Sequence, residues 1–189
     1  MGPNTKTRRE TLHLGATVVT VVALAGCLDG GAGSPDGEET TAEEGDPALA
    51  INGRFLSSAF PIEFVEADFE ATSGFAGDSR LAYVHWHDEG DSHWHQAPLE
   101  FDTGRTRSGR TRFLEKGAEE IPIGPGETFT QDVYPTEETP EGVLTTEVDG
   151  GIVGITAEGE SGAEGGLVFE LLADGEIRWR SPPLPVEIR

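Results

Sequence analysis

From about residue 47 onward the apolar positions come in short alternating runs broken by Gly, Pro, Asp and Asn, and no stretch sustains the 3.6-residue period of an amphipathic helix. The pattern predicts strands near 49–57, 61–70, 80–87, 93–101, 110–115, 127–134, 143–148, 151–157, 166–173 and 176–181. Asp149-Gly150-Gly151 and Asp174-Gly175 read as hairpin turns, because tight two-residue loops need backbone with positive φ. The last hairpin, LVFELLADGEIRWR, alternates well enough to bury Trp179. The prolines of Ser181-Pro182-Pro183-Leu184-Pro185 predict an extended edge segment, since proline donates nothing to a ladder. The expected fold of residues 47–189 is an all-β, immunoglobulin-like antiparallel β-sandwich, with a barrel as the alternative closure.

Before residue 47 the pattern is different. Lys6, Arg8 and Arg9 precede an apolar run from Leu14 to Ala25, which is short for a membrane span and suited to a secretory signal. Residues 28–46 are Gly, acidic and small polar residues without apolar periodicity, the composition of a disordered acidic linker. Arg8-Arg9, followed at a distance by Leu12, resembles a twin-arginine export signal, and Leu24-Ala25-Gly26-Cys27 resembles a lipobox. Residues 1–46 thus resemble the leader and tether of exported lipoproteins of halophilic archaea. The resemblance implies removal of residues 1–26 and lipidation of Cys27. It implies a domain anchored to the membrane through that lipid, on the extracytoplasmic face, with residues 27–46 as spacer. Cys27 is the single cysteine, so no intrachain disulfide forms, and lipidation leaves no thiol for other chemistry.

The charge agrees. Of 189 residues, 35 are acidic and 13 basic, for a formal charge of −22, and the only lysines are Lys6 and Lys116. Such a balance favours solubility at high salt, where a Debye length of roughly 3 Å at 1 M suppresses self-repulsion. It excludes nucleic acid as a partner, because phosphate backbones need a basic footprint.

One segment carries candidate chemistry. Of five histidines, His85, His87, His93 and His95 fall in the near-palindrome HWHDEGDSHWH. Two strands joined by Asp88–Ser92 would place His87 opposite His93, Trp86 opposite Trp94 and His85 opposite His95. Alternation then puts all four imidazoles on one face and both indoles on the other, where they would stack. Continuing the histidine row gives Tyr83 and Leu81 on one strand and Ala97, Leu99 and Phe101 on the other, so that face is expected to meet the core, with the histidines at its rim. Four convergent imidazoles suit a copper or zinc ion. The tripeptide HWH is similar to the copper-ligating HWH of multicopper oxidases, but over three residues only. Without an HCH cluster or a second cysteine, that similarity implies no oxidase activity. A purely structural hairpin, or a contact surface of rings, accounts for the same residues.

A second pattern is the tandem Gly-Arg-Thr-Arg at 104–107 and 109–112. With a turn at Ser108-Gly109, Arg105, Arg107, Arg110 and Arg112 would converge on an anion such as a sulfated glycan, or simply pair with the abundant carboxylates. No phosphate-binding glycine loop and no Ser/His/Asp arrangement stands out. The residues therefore point to a membrane-anchored extracytoplasmic protein that binds a transition metal through its histidine hairpin. The rival is an interaction module without metal, and a three-histidine metalloenzyme is a third possibility.

Overall fold

The structure is a computed structural model that describes residues 46–70, 73–88 and 91–189. The export signal, Cys27 and all of the linker before Asp46 lie outside the described residues. Thirteen strands follow in chain order: β1 (Ala50–Ile51), β2 (Arg54–Phe55), β3 (Ile62–Glu66), β4 (Arg80–His85), β5 (His93–His95), β6 (Leu99–Phe101), β7 (Arg105–Phe113), β8 (Phe129–Pro135), β9 (Leu144–Asp149), β10 (Ile152–Ala157), β11 (Glu164–Ala173), β12 (Glu176–Arg180) and β13 (Leu184–Ile188). Short 3₁₀ turns occupy Pro47–Leu49 and Gly77–Ser79. Among the described residues no helix is long and apolar enough to cross a membrane.

The strands form an all-β sandwich, as the alternation predicts. One sheet runs β5-β4-β3-β7-β10-β9 and is antiparallel throughout. The other is built on β11. Leu167 pairs with both Pro135 and Leu184, and Glu170 with both Asp132 and Arg180. A residue has only two ladder edges, so β8 takes one edge of β11 while β12 and β13 divide the other. β6 adds parallel to β13. The inner faces meet through Phe64 against Phe169, with ring centroids 5.6 Å apart, and through Phe113 against Trp179 at 5.9 Å. Phe64, Phe113 and Phe169 are fully buried.

Local chemistry explains where strands end. The Gly150-Gly151 and Asp174-Gly175 turns form as two-residue loops, and Asp174 and Gly175 both take positive φ. Asn52-Gly53 makes a third such turn, splitting the expected strand 49–57 into the β1–β2 hairpin. The expected strand 93–101 is divided at Gln96–Pro98, where Gln96 has φ +60°, and β5 and β6 belong to different sheets. The prolines after Ser181 do not form an edge. β13 lies between β11 and β6, and Pro185 is tolerated because β6 pairs only from Val186 onward.

The arginine tandem is not a hairpin. Residues 105–113 are one nine-residue strand in the middle of its sheet, paired on both sides without a break. Gly109 is not a turn residue but a packing residue: a Cβ there would lie within 3.0 Å of three atoms of the Phe64 ring.

Candidate metal site on the outer sheet face

Strand parity builds the site. β4 and β5 pair as Tyr83–His95, Val84–Trp94 and His85–His93. Ala82, Val84, Trp86 and Trp94 point into the core, so the alternate residues Tyr83, His85, His93 and His95 stand on the outer face. The expected register was His85 opposite His95, two residues away from the observed one. A two-residue slip preserves side-chain parity, so the shared imidazole face survives it. β4 stops at His85, and the next residue, Trp86, donates its backbone N–H to Ala59 O at 3.1 Å.

Which face meets the core is the reverse of the expectation. The indoles, not the imidazoles, face inward. They do not stack on each other: Trp86 packs on Trp179 at 5.7 Å and Trp94 on Phe169 at 5.3 Å. Each indole N–H is satisfied, Trp86 Nε1 donating to Asp46 Oδ2 at 2.9 Å and Trp94 Nε1 to Pro182 O at 2.7 Å. Leu99 and Phe101 do reach the core, but from the opposite sheet, because the chain changes direction at Gln96–Pro98.

The four rings form a closed circuit. Centroids are 4.2 Å apart for His85–His87, 5.4 Å for His87–His93, 4.8 Å for His93–His95 and 5.5 Å for His95–His85. Ligand nitrogens of His85, His93 and His95 all lie within 4.8 Å of one another, close enough together to hold a metal ion. Ligands of a tetrahedral ion at 2.0–2.1 Å sit about 3.3 Å apart, so the rings must draw together by about 1.5 Å at most. His87 is exposed and follows the end of β4. Its backbone N–H donates to Ser92 Oγ at 3.3 Å, and Ser92 Oγ–H donates to Asp88 O at 2.6 Å, which links Ser92 to the chain just after β4.

Two features bear on the ligand nitrogens. His93 Nδ1 lies 3.3 Å from Asp91 O; in the Nδ1–H tautomer it donates there and leaves Nε2 for an ion. Burial, followed by the neighbouring His93, His85 and Arg80, pushes the His95 pKa below the usual 6.5.

The arginines are not brought to one site. Along β7, Gly109 and Thr111 lie on the core side with Arg105 and Arg107, whereas Arg110 and Arg112 alternate to the outer side. Arg107 pairs with Glu66 at 3.3 Å, and Arg110 with Glu120. Arg112 is fully buried and is held by Glu63 Oε2 at 2.7 Å, Glu120 Oε2 at 2.9 Å and Gly74 O at 3.0 Å. The guanidinium groups of Arg107, Arg110 and Arg112 are spent on protein carboxylates rather than aimed at a common anion. Glu63, also fully buried, accepts from Ala76 N and has its pKa raised by burial, against the opposing pull of that bond, Arg112 and Arg80. This network clips the chain segment around Gly74 and Ala76 over the outer face. The arginine spacing alone did not reveal it, because Glu63 lies 49 residues from Arg112 and only the β3–β7 pairing brings the two opposite each other.

Compared with protein families, curated proteins and solved structures, the chain matches none. The reading of its function therefore rests on the site.

Proposed function

We propose that the domain binds a copper or zinc ion through His85, His93 and His95, with His87 closing the circuit as fourth ligand, and that it does so as a lipoprotein held at the extracytoplasmic membrane face by Cys27. The observation that carries the metal reading is the convergence of three ligand nitrogens within 4.8 Å on paired strands, backed by two buried tryptophans. Strands hold ligands more rigidly than loops do, and an open outer face admits an ion without a channel. Imidazole nitrogen suits both ions. A flattened four-nitrogen arrangement favours Cu(II), and a puckered one Zn(II). The tether reading is supported by the basic leader, the lipobox-like LAGC and the acidic spacer composition.

Isothermal titration with Cu(II) and with Zn(II) tests the metal reading: one ion per chain is expected, with binding lost in His85→Ala/His93→Ala. Fractionation of cells expressing the full chain tests the tether. The protein is expected in the membrane fraction, and Cys27→Ser is expected to release it.

A further inference from the structure

The outer face carries a transverse row that ends in the histidine site. Register places Arg112 opposite Glu63, Glu63 opposite Tyr83, and Tyr83 opposite His95, so these four residues lie side by side across β7, β3, β4 and β5. At its centre the Tyr83 ring is held on several sides. His95 stacks on it with centroids 4.9 Å apart and planes 10° from parallel. The Arg80 guanidinium lies 4.0 Å from the ring centroid. Phe60 meets it edge-on at 5.1 Å. Arg80 reaches this place through a β-bulge. β4 uses Ala82 and Arg80 against consecutive residues Phe64 and Val65 of β3, and the extra residue, Leu81, turns Arg80 to the outer face. Arg80 is fixed in turn by Gly77 O at 3.2 Å and by buried Glu63 at 3.5 Å.

From this arrangement we infer that Tyr83 is a positioning residue of the metal site: clamped by Arg80 and Phe60, it fixes the ring plane of His95 by stacking and so sets the site's affinity. The inference rests on the metal reading above. Among the described residues no hydrogen bond to the His95 ring is recorded, whereas His93 is oriented through Asp91 O. A ligand imidazole ordinarily takes its orientation from a partner at its second nitrogen, and loss of such a partner lowers metal affinity by about 10–100-fold. For His95 the flat face of Tyr83 takes that part. The tyrosine hydroxyl is not needed for it, so phenylalanine should serve equally well.

The test titrates the wild-type protein, Tyr83→Phe and Tyr83→Leu with Cu(II) and, separately, with Zn(II), and records the Cu(II) electron paramagnetic resonance spectrum of each. Tyr83→Phe is expected to match wild type in affinity and spectrum. Tyr83→Leu is expected to bind about tenfold more weakly, with altered nitrogen hyperfine structure, while still unfolding cooperatively without metal. Tyr83→Val, which suits a strand but lacks a ring face, provides the same comparison if the leucine variant does not fold. Wild-type binding with leucine and valine variants indistinguishable from it would overturn this inference and leave the metal reading intact. A wild-type protein that takes up neither ion would overturn both.

Discussion

At the residue scale, the buried charges and the histidines make opposite demands. Arg112 and Glu63 are both fully buried and each depends on the other. Removing one partner of such a pair costs about 3–5 kcal/mol. Arg112→Met is therefore expected to lower unfolding free energy by about that amount in urea titration, and a loss below about 1 kcal/mol would contradict the assignment. His95 gives a pH signature. Its folded pKa is depressed, so its contribution to stability is present above the unfolded value of 6.5 and is lost as pH falls through the lower folded value. Glu63 works the other way. Its folded pKa is raised, so its contribution is full below the unfolded value of 4.5 and declines as pH rises through the raised one. Melting curves between pH 7 and 5 should show the parent losing more stability with acid than His95→Asn does, whatever Glu63 adds to both. An unchanged slope in the variant would remove His95 as the source.

At the scale of elements, parity was legible in the sequence and register was not. HWH repeated around a turn is enough to say that the four imidazoles share a face, because a period of two tolerates a two-residue slip. It does not say which face is buried. That depends on partners far along the chain, Trp179 and Phe169, which offer the indoles a core. The turn assignments at Gly150-Gly151 and Asp174-Gly175 rest on local backbone preference and survive unchanged. Ser108-Gly109 misleads because a glycine can serve a turn or a close approach, and only the Phe64 ring decides between them. Gly109→Ala is thus expected to cost about 1–3 kcal/mol through overpacking, measured by chemical denaturation. A neutral substitution would mean that the ring can move aside. The tryptophans support the site from beneath. Trp94→Ala should cost about 3–5 kcal/mol and weaken metal binding, although Trp94 is on the face away from the ion.

At the scale of the molecule, 13 basic residues cannot pair with all 35 carboxylates, and the formal charge is −22. Thermal stability is expected to rise with salt through the molar range, where a Debye length of roughly 3 Å damps carboxylate repulsion. A melting temperature independent of salt would argue against adaptation to brine. The histidine trio itself contains no carboxylate, so its ligand set is nitrogen alone. The most direct measurement is metal uptake by the full chain and by His93→Ala/His95→Ala under the same conditions, read as bound Cu(II) or Zn(II) per chain after dialysis. Close to one ion in the parent and none in the variant is the predicted result; equal metal content in both, or none in either, would contradict the account.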